Sequence, residues 1–202
     1  MATRIVCISR SAGAGGEAVG RLLSERLGFR YVDEEIVSLA AERAGVSIEE
    51  VADVEQRKSL VHRLMAQLAY TAADADVMGA LSVPEDHREL IREVIDEVAE
   101  GGDAVIVAHA AAHALGNRPD VLRLLVTAPP ELRAGRVAAD QRIDEGEAAK
   151  FIRQEDAARV DYLRRFYGVQ RELPEQYDLV VNTELLTPEQ IADVAMAAVA
   201  RD

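Results

Sequence analysis

"IVCISRSAGAGGEAVGRLL" (residues 5–23) runs from an apolar segment through a glycine-rich turn into a sequence with helical spacing. Strand, glycine loop, helix is the order in which a backbone cradle for an anion is built. The loop gathers N–H groups, and the start of the helix adds more of them. The familiar pattern is G-x-x-x-x-G-K-S/T, in which the lysine reaches the β/γ oxygens of a nucleotide and the hydroxyl binds Mg²⁺. With Gly15 as the last fixed glycine, Arg10 stands where the first glycine belongs. Gly16 takes the lysine position, and Glu17 and Ala18 fall where a hydroxyl is found. The backbone half of the device, Ser11, Gly13, Ala14, Gly15 and Gly16, is kept. The side-chain half is absent.

Two other readings of the same residues stay open. Gly13-x-Gly15-x-x-Ala18 fits the dinucleotide pattern G-x-G-x-x-A, with Asp33 at the end of the second strand as the ribose-binding acid. Against it, Ser9-Arg10-Ser11-Ala12 separate the strand from the first glycine, enough chain to curl around a phosphate. The third reading is that the glycines only let helix and strand pack closely.

Outward from this stretch, strands and helices alternate. "FRYVD", "DAVIVAH", "VLRLLVTA" and "YDLVVNT" read as further strands. "GEAVGRLLSERLG" reads as a helix closed by Gly28, and "EEIVSLAAERAG" as one closed by Gly45. Ser47 and Glu50 form a capping box, and residues 56 to 82 read as largely helical. In "EDHRELIREVIDEVAEGG" the residues Leu90, Ile91, Val94, Ile95 and Val98 follow the 3.6 period. "PPELRAGRVAAD" and "DEGEAAKFIRQEDAARVDYLRRFYG" are expected helices, the second capped at Asp144. "TPEQIADVAMAAVA" has Thr187 as N-cap and Pro188 at the first helical position. Five apolar strands alternating with helices predict a parallel sheet covered on both faces, with ligands beyond the carboxyl ends of its strands.

The chain of 202 residues is large enough for one domain with a substantial core. Its formal charge of −13 argues against general nucleic-acid binding. No apolar run reaches the length of a membrane span, and the first strand begins too early for a signal peptide. A lone Cys7, mid-strand, reads as a buried residue suited to a reducing compartment, and a cytoplasmic location is expected. The charge is uneven. Residues 33 to 103 are acidic, whereas residues 118 to 171 hold ten arginines, as if around a local anion site. The only lysines are Lys58 and Lys150, so no lysine close in sequence replaces the missing one.

Four segments together resemble the cytidylate kinase-like family, a branch of the nucleoside monophosphate kinases. They are "ISRSAGAGGEAVGRLLSERLGFRYVDEEIV", "DAVIVAHAAAHALGNRPDVLRLLVTAPPELRAGRV", "EAAKFIRQEDAARVDYLRRFYG" and "YDLVVNTELLTPEQI". The resemblance implies a three-layer α/β P-loop NTPase-like fold with a five-stranded parallel sheet and a helical lid. It implies one domain over 1–202, with a core of about 1–45 and 102–202, a helical acceptor-side insertion at about 46–101 and a lid at about 131–168. It also implies γ-phosphate transfer from ATP to a nucleoside monophosphate, with Mg²⁺. Ser9-Arg10 looks like the Ser-Arg of that branch, whose loops commonly lack the lysine, so Arg10 is the expected substitute cation. Ser11, Gly13, Ala14, Gly15, Gly16, Glu17 and Ala18 would line the ATP phosphates. "ELRAGR" looks like the lid arm, bringing Arg136 and Arg133 over them. In "RQEDAAR", Arg153, Asp156 and Arg159 share a helical face at i, i+3 and i+6 and would serve transfer and the acceptor. Asp33 and His109 complete the acceptor side, although Ala108-His109 stands where the branch has Gly-Arg.

Arginines supply the charge that phosphoryl transfer needs, but Mg²⁺ wants oxygen ligands, and the loop offers only Ser11 and Glu17, with no evident metal set. The expectations are therefore a small-molecule nucleotide as partner, ATP as cosubstrate, and either a working kinase or a catalytically weak relative acting through a protein partner or as a homo-oligomer. The acidic middle, 46 to 103, would carry such a partner surface. A purely structural helical module is the remaining alternative.

Overall fold

The computed structural model describes residues 3–33, 85–108 and 110–199. The expected helix after Asp33, the Ser47–Glu50 capping box, the helical 56–82 segment and His109 lie outside the described residues, as does most of the acidic middle. By its contacts the chain divides into two units, Met1–Glu34 with Ile95–Asp202, and Glu35–Val94. The first unit contains the glycine loop.

Five strands make one sheet. They are β1 (Ile5–Arg10), β2 (Arg30–Val32), β3 (Ala104–Val107), β4 (Val121–Thr127) and β5 (Leu179–Asn182), in the spatial order β2-β3-β1-β4-β5. Every pairing is parallel. The α-helices among the described residues are α1 (Gly16–Leu27), α2 (Glu85–Gly101), α3 (Ala111–Leu115), α4 (Pro130–Gln141), α5 (Glu145–Tyr167) and α6 (Pro188–Val199). The fold is thus the expected α/β P-loop NTPase-like one, with "RIVCIS" as its central strand. Among the described residues, α3 and a 3-10 turn at Pro174–Gln176, both too short to show a helical period, were not legible in the sequence.

The continuous apolar run of β1 follows from burial on both faces. Val6 and Ile8 point one way, where they pack with Val105, Val107, Leu124 and Val126 against Val19 and Leu23 of α1 and Ile191, Ala192 and Ala195 of α6. Ile5 and Cys7, on the opposite face, are equally inaccessible. Burial pushes the Cys7 thiol up to about 12, which leaves it a small core residue with no thiolate chemistry at neutral pH.

The local signals for helix ends work as expected. Gly28 closes α1 in the left-handed conformation, and the structure adds Gly168, which closes α5 in the same way. The Asp144 carboxylate accepts from the Glu147 N–H at 2.9 Å, and the Thr187 hydroxyl accepts from the Gln190 N–H at 3.3 Å.

Strand order sets where a ligand can sit. The connection after β1 leads to one side of the sheet, and the connection after β3 leads to the other. The order reverses between these two neighbours, which is where a crevice opens at the carboxyl edge. There β1 pairs with β4 as far as Arg10↔Val126, but with β3 only as far as Ile8↔Val107. Ser9 and Arg10 therefore lead into the glycine loop with one side free of the ladder.

Candidate functional site

The loop from Ser11 to Gly15 is a tight turn: the Ser11 N–H donates to Val126 O at 3.1 Å and the Ala14 N–H to Ser11 O at 3.0 Å. Gly13 and Gly15 have φ of +74° and +82°, a region that L side chains rarely enter. The two glycines differ in their surroundings. A Cβ on Gly13 would lie 2.8 Å from the Arg133 carbonyl oxygen, whereas one on Gly15 would meet no protein atom within 4 Å. Gly13 is needed for packing, and Gly15 borders open space. Gly15 is also the N-cap of α1 and supplies no capping side chain. The first N–H groups of α1 thus lack a side-chain acceptor, and the helix dipole adds to their pull on an anion.

The loop is held from behind by three arginines, each on a carbonyl. Arg159 Nη1 donates to Arg10 O at 2.6 Å, Arg133 Nη1 to Ala12 O at 3.2 Å, and Arg136 Nη1 to Ala14 O at 3.5 Å. The Thr183 hydroxyl also donates to Ala14 O, at 2.8 Å. The Ser11 and Ala14 N–H groups are themselves spent on Val126 O and Ser11 O, so the donors best placed for an anion are those at the start of α1.

Each of these arginines is anchored elsewhere too. Arg133, 4% exposed, makes two parallel bonds to Asp156, at 2.9 and 2.7 Å, and a third to Ala128 O at 3.1 Å. Arg136 donates to the hydroxyl and the carbonyl of Thr183, both at 2.7 Å. Arg159 makes two bonds to Glu172, at 2.7 and 2.6 Å, and one to Ser9 Oγ at 3.0 Å. Arg133 and Arg136, expected to reach over the phosphates, and Arg159, expected to serve transfer and the acceptor, are thus engaged in orienting the loop.

Arg10 takes up the space of the missing lysine. A Cβ on Gly16 would lie 2.7 Å from Arg10 Cβ and 3.0 Å from its Cδ, so the arginine stem lies across the position a lysine would occupy. Its Nε is 2.6 Å from Glu17 Oε1, and Glu17 is partly exposed. The N–H vector is not aligned with that oxygen, so the contact is an ion pair without a proper hydrogen bond. Ala18 is exposed one residue further on.

Other expected site residues are dispersed. Arg153 is exposed, whereas Arg159, six residues on, is buried. The shared face expected for Arg153, Asp156 and Arg159 therefore splits three ways: solvent, Arg133 and Glu172. Asp33, directly after β2, accepts from the Tyr31 hydroxyl at 3.0 Å. Among the described residues no group of three His, Cys, Asp or Glu side chains could hold a metal ion. Thr183, Glu172 and Tyr177 were not singled out from the sequence. They lie far from the loop along the chain and follow no motif, so only the fold reveals them.

A carboxyl-edge glycine cradle on the central strand, closed by helices from the second half of the chain, defines the class: an α/β P-loop kinase-like fold. The profile of the cytidylate kinase-like family matches residues 5–185. The cytidylate kinase of Ignicoccus hospitalis is 30% identical over 190 residues, which is 94% of this chain and 95% of that protein. The cytidylate kinase of Sulfolobus acidocaldarius is 25% identical over 201 residues, covering 97% and 94%. The chain belongs to the cytidylate kinase-like family. Among solved structures, an uncharacterized protein from Eubacterium ventriosum superposes with a TM-score of 0.70 at 15% identity, over 98% of this chain and 100% of that one. Shikimate kinase from Bacteroides thetaiotaomicron gives 0.55 at 17%, over 98% and 99%. At these identities the likeness shows the fold.

Proposed function

We propose that this chain transfers the γ-phosphate of ATP to a nucleoside monophosphate such as CMP. The observation that carries the reading is the glycine cradle: carbonyls of Arg10, Ala12 and Ala14 drawn back, an N-terminus of α1 with no capping side chain, and open space at Gly15. The activity named for the archaeal relatives supports the choice of acceptor. In this reading the loop of Ser11 and Gly13 to Ala18 lines the phosphates, with the N–H groups at the start of α1 as the chief donors, and Arg10 brings the cation that a lysine brings elsewhere. Arg153 serves the acceptor or the transferred group, and Asp33 serves the acceptor, a role the family resemblance also implies for His109. Arg133, Arg136, Arg159 and Asp156 act by positioning. Mg²⁺ neutralises phosphate charge in such reactions and commonly keeps several waters beside one or two carboxylates. The loop's contribution to it would be Ser11 and Glu17.

The test is an ADP-release assay across CMP, UMP, AMP and GMP, with ATP binding titrated in parallel. CMP-dependent ADP release is the expected result. Absence of ATP binding at millimolar concentration would overturn the reading.

A second reading, a catalytically weak relative that binds nucleotide, is favoured by a specific observation. The three lid arginines are committed to the loop and to Asp156, Thr183 and Glu172, and Arg10 is paired with Glu17. Losing one positioned transition-state arginine lowers phosphoryl transfer by roughly 10³–10⁵. Under this reading, ATP binds but turnover falls below the range of about 1–100 s⁻¹ usual for kinases. Turnover inside that range would remove it.

A further inference from the structure

The strongest polar cluster outside the glycine loop lies behind it. Arg159, on α5, is 7% exposed, and Ser9, on β1, is fully buried. Four of the guanidinium's bonds to described residues go to two sets of partners. Nε and Nη2 go to the two oxygens of Glu172, while Nη1 and Nη2 go to Arg10 O and Ser9 Oγ. Glu172 lies in the turn beyond the end of α5, and its side chain is 18% exposed. It also accepts from the Tyr177 hydroxyl, whose oxygen is 3.3 Å from His113 Nε2. Glu172 has no sequence motif and touches the loop through Arg159.

We infer that Glu172 is a positioning residue for the phosphate cradle, acting through Arg159 to fix the Ser9–Arg10 end of β1. The inference rests on the nucleotide-binding reading of the loop. The physical reason is the demand of a buried guanidinium. It needs a desolvated counter-charge of fitting geometry, and the two-oxygen pairing with Glu172 fixes both its place and its plane. Without that carboxylate, Arg159 moves toward water or another acid and releases the Arg10 carbonyl. The Arg10 peptide then rotates, and with it go the first turn of the loop and the stem that lies across Gly16. An ion pair that only cements α5 to the sheet would leave the loop's local opening unchanged.

The full chain with Glu172→Gln keeps the side-chain shape and an acceptor for Tyr177 but loses the charge. Two measurements are made, amide exchange over residues 9–16 without nucleotide and ATP titration. The expected result is loop exchange faster by about tenfold or more, with exchange in β3 and β4 unchanged. ATP affinity is expected to fall by about tenfold, and the Glu172→Gln/Arg159→Gln double variant should match Arg159→Gln alone, because the two residues act as one unit. Loop exchange and ATP affinity both within about twofold of the parent would overturn the inference, as would additive effects in the double variant. If the parent chain binds no ATP, the nucleotide reading fails, and unchanged loop exchange in Glu172→Gln separately overturns the positioning role. Should Glu172→Gln fail to fold, Tyr177→Phe removes one bond from the same carboxylate. It is expected to raise loop exchange in the same segment, and no change there overturns the inference.

Discussion

At the scale of single residues, the loop separates two uses of glycine that look alike in the sequence. Gly13→Ala places a Cβ against the Arg133 carbonyl and in a strained backbone region, so it is expected to lower stability by about 1–3 kcal/mol through overpacking and strain. Gly15→Ala meets no protein atom, so its expected effect is about 1–2 kcal/mol of backbone strain together with a much larger loss of ATP binding. Thermal melts beside ATP titrations check the contrast. Equal binding losses at matched stability would show that Gly15 does not border the phosphate. Arg10 and Glu17 give a second pair with opposite signs. Arg10→Ala removes a charge-assisted contact and is expected to weaken ATP by more than tenfold, since such contacts are worth about 1.5–3 kcal/mol. Glu17→Gln removes an acid that competes with phosphate for the same guanidinium, and is expected to tighten ATP several-fold. Weaker binding in Glu17→Gln would mean that the carboxylate serves the nucleotide, for example through Mg²⁺.

Between elements, α4 and α5 pack on each other through Ala134, Val137, Ala148 and Ile152, with Ala12 of the loop at the edge of that cluster. The Arg133–Asp156 pair ties the two helices together and ties both to Ala12 O. Asp156→Asn leaves Arg133 buried without its counter-charge. Because the Asp156 side chain is 40% exposed, the expected loss is below the about 3–5 kcal/mol typical of breaking a fully buried pair. Arg153→Ala, on the exposed face of the same helix, is expected to change stability by less than about 0.5 kcal/mol. If Arg153 meets the acceptor or the transferred phosphoryl group, kcat falls by about 10² or more with the melting temperature unchanged, by analogy with other positioned transition-state charges. Unchanged kcat in Arg153→Ala would assign it to the solvated surface.

For the molecule as a whole, one part of the acid sensitivity should originate behind the loop. Burial pushes His113 below its ordinary value of 6.5. Glu172 pulls it back up, and Arg159 and Arg123 oppose that pull. The ring also faces Tyr167 and Tyr177. Burial pushes Glu172 up, but the hydrogen bond and charge of Arg159, with the Tyr177 hydroxyl, outweigh it and hold the carboxyl below 4.5. Both groups have folded values below their unfolded ones, so each contributes stability above its unfolded value that is lost as pH falls. The His113 part declines first, as pH drops through 6.5, and the Glu172 part follows below 4.5. The slope for one proton cannot exceed about 1.4 kcal/mol per pH unit. Urea midpoints measured from about pH 8 to about pH 4 check this, and His113→Gln should abolish the upper step while keeping the lower one. A flat profile between about pH 8 and about pH 5 in the parent chain would remove His113 from the account.

How much was legible in advance follows from the range of each interaction. The buried strand, the glycine loop, the N-caps at Asp144 and Thr187, and the glycine stop at 28 depend on neighbours within a turn or two. The sequence states them directly, and with them the parallel α/β fold and the family resemblance. The absence of the lysine and hydroxyl was equally plain. The assignment of the arginines was not. Arg133, Arg136 and Arg159 carry the right charge for phosphate, yet each is used on a loop carbonyl more than a hundred residues away. Their partners Asp156, Thr183 and Glu172 become neighbours only when β1, β4 and β5 come into register and α4 and α5 fold back over the loop. An arginine's identity shows that it will seek oxygen. Whether that oxygen belongs to a substrate, a carboxylate or the backbone depends on burial and geometry, which here only the tertiary structure decided.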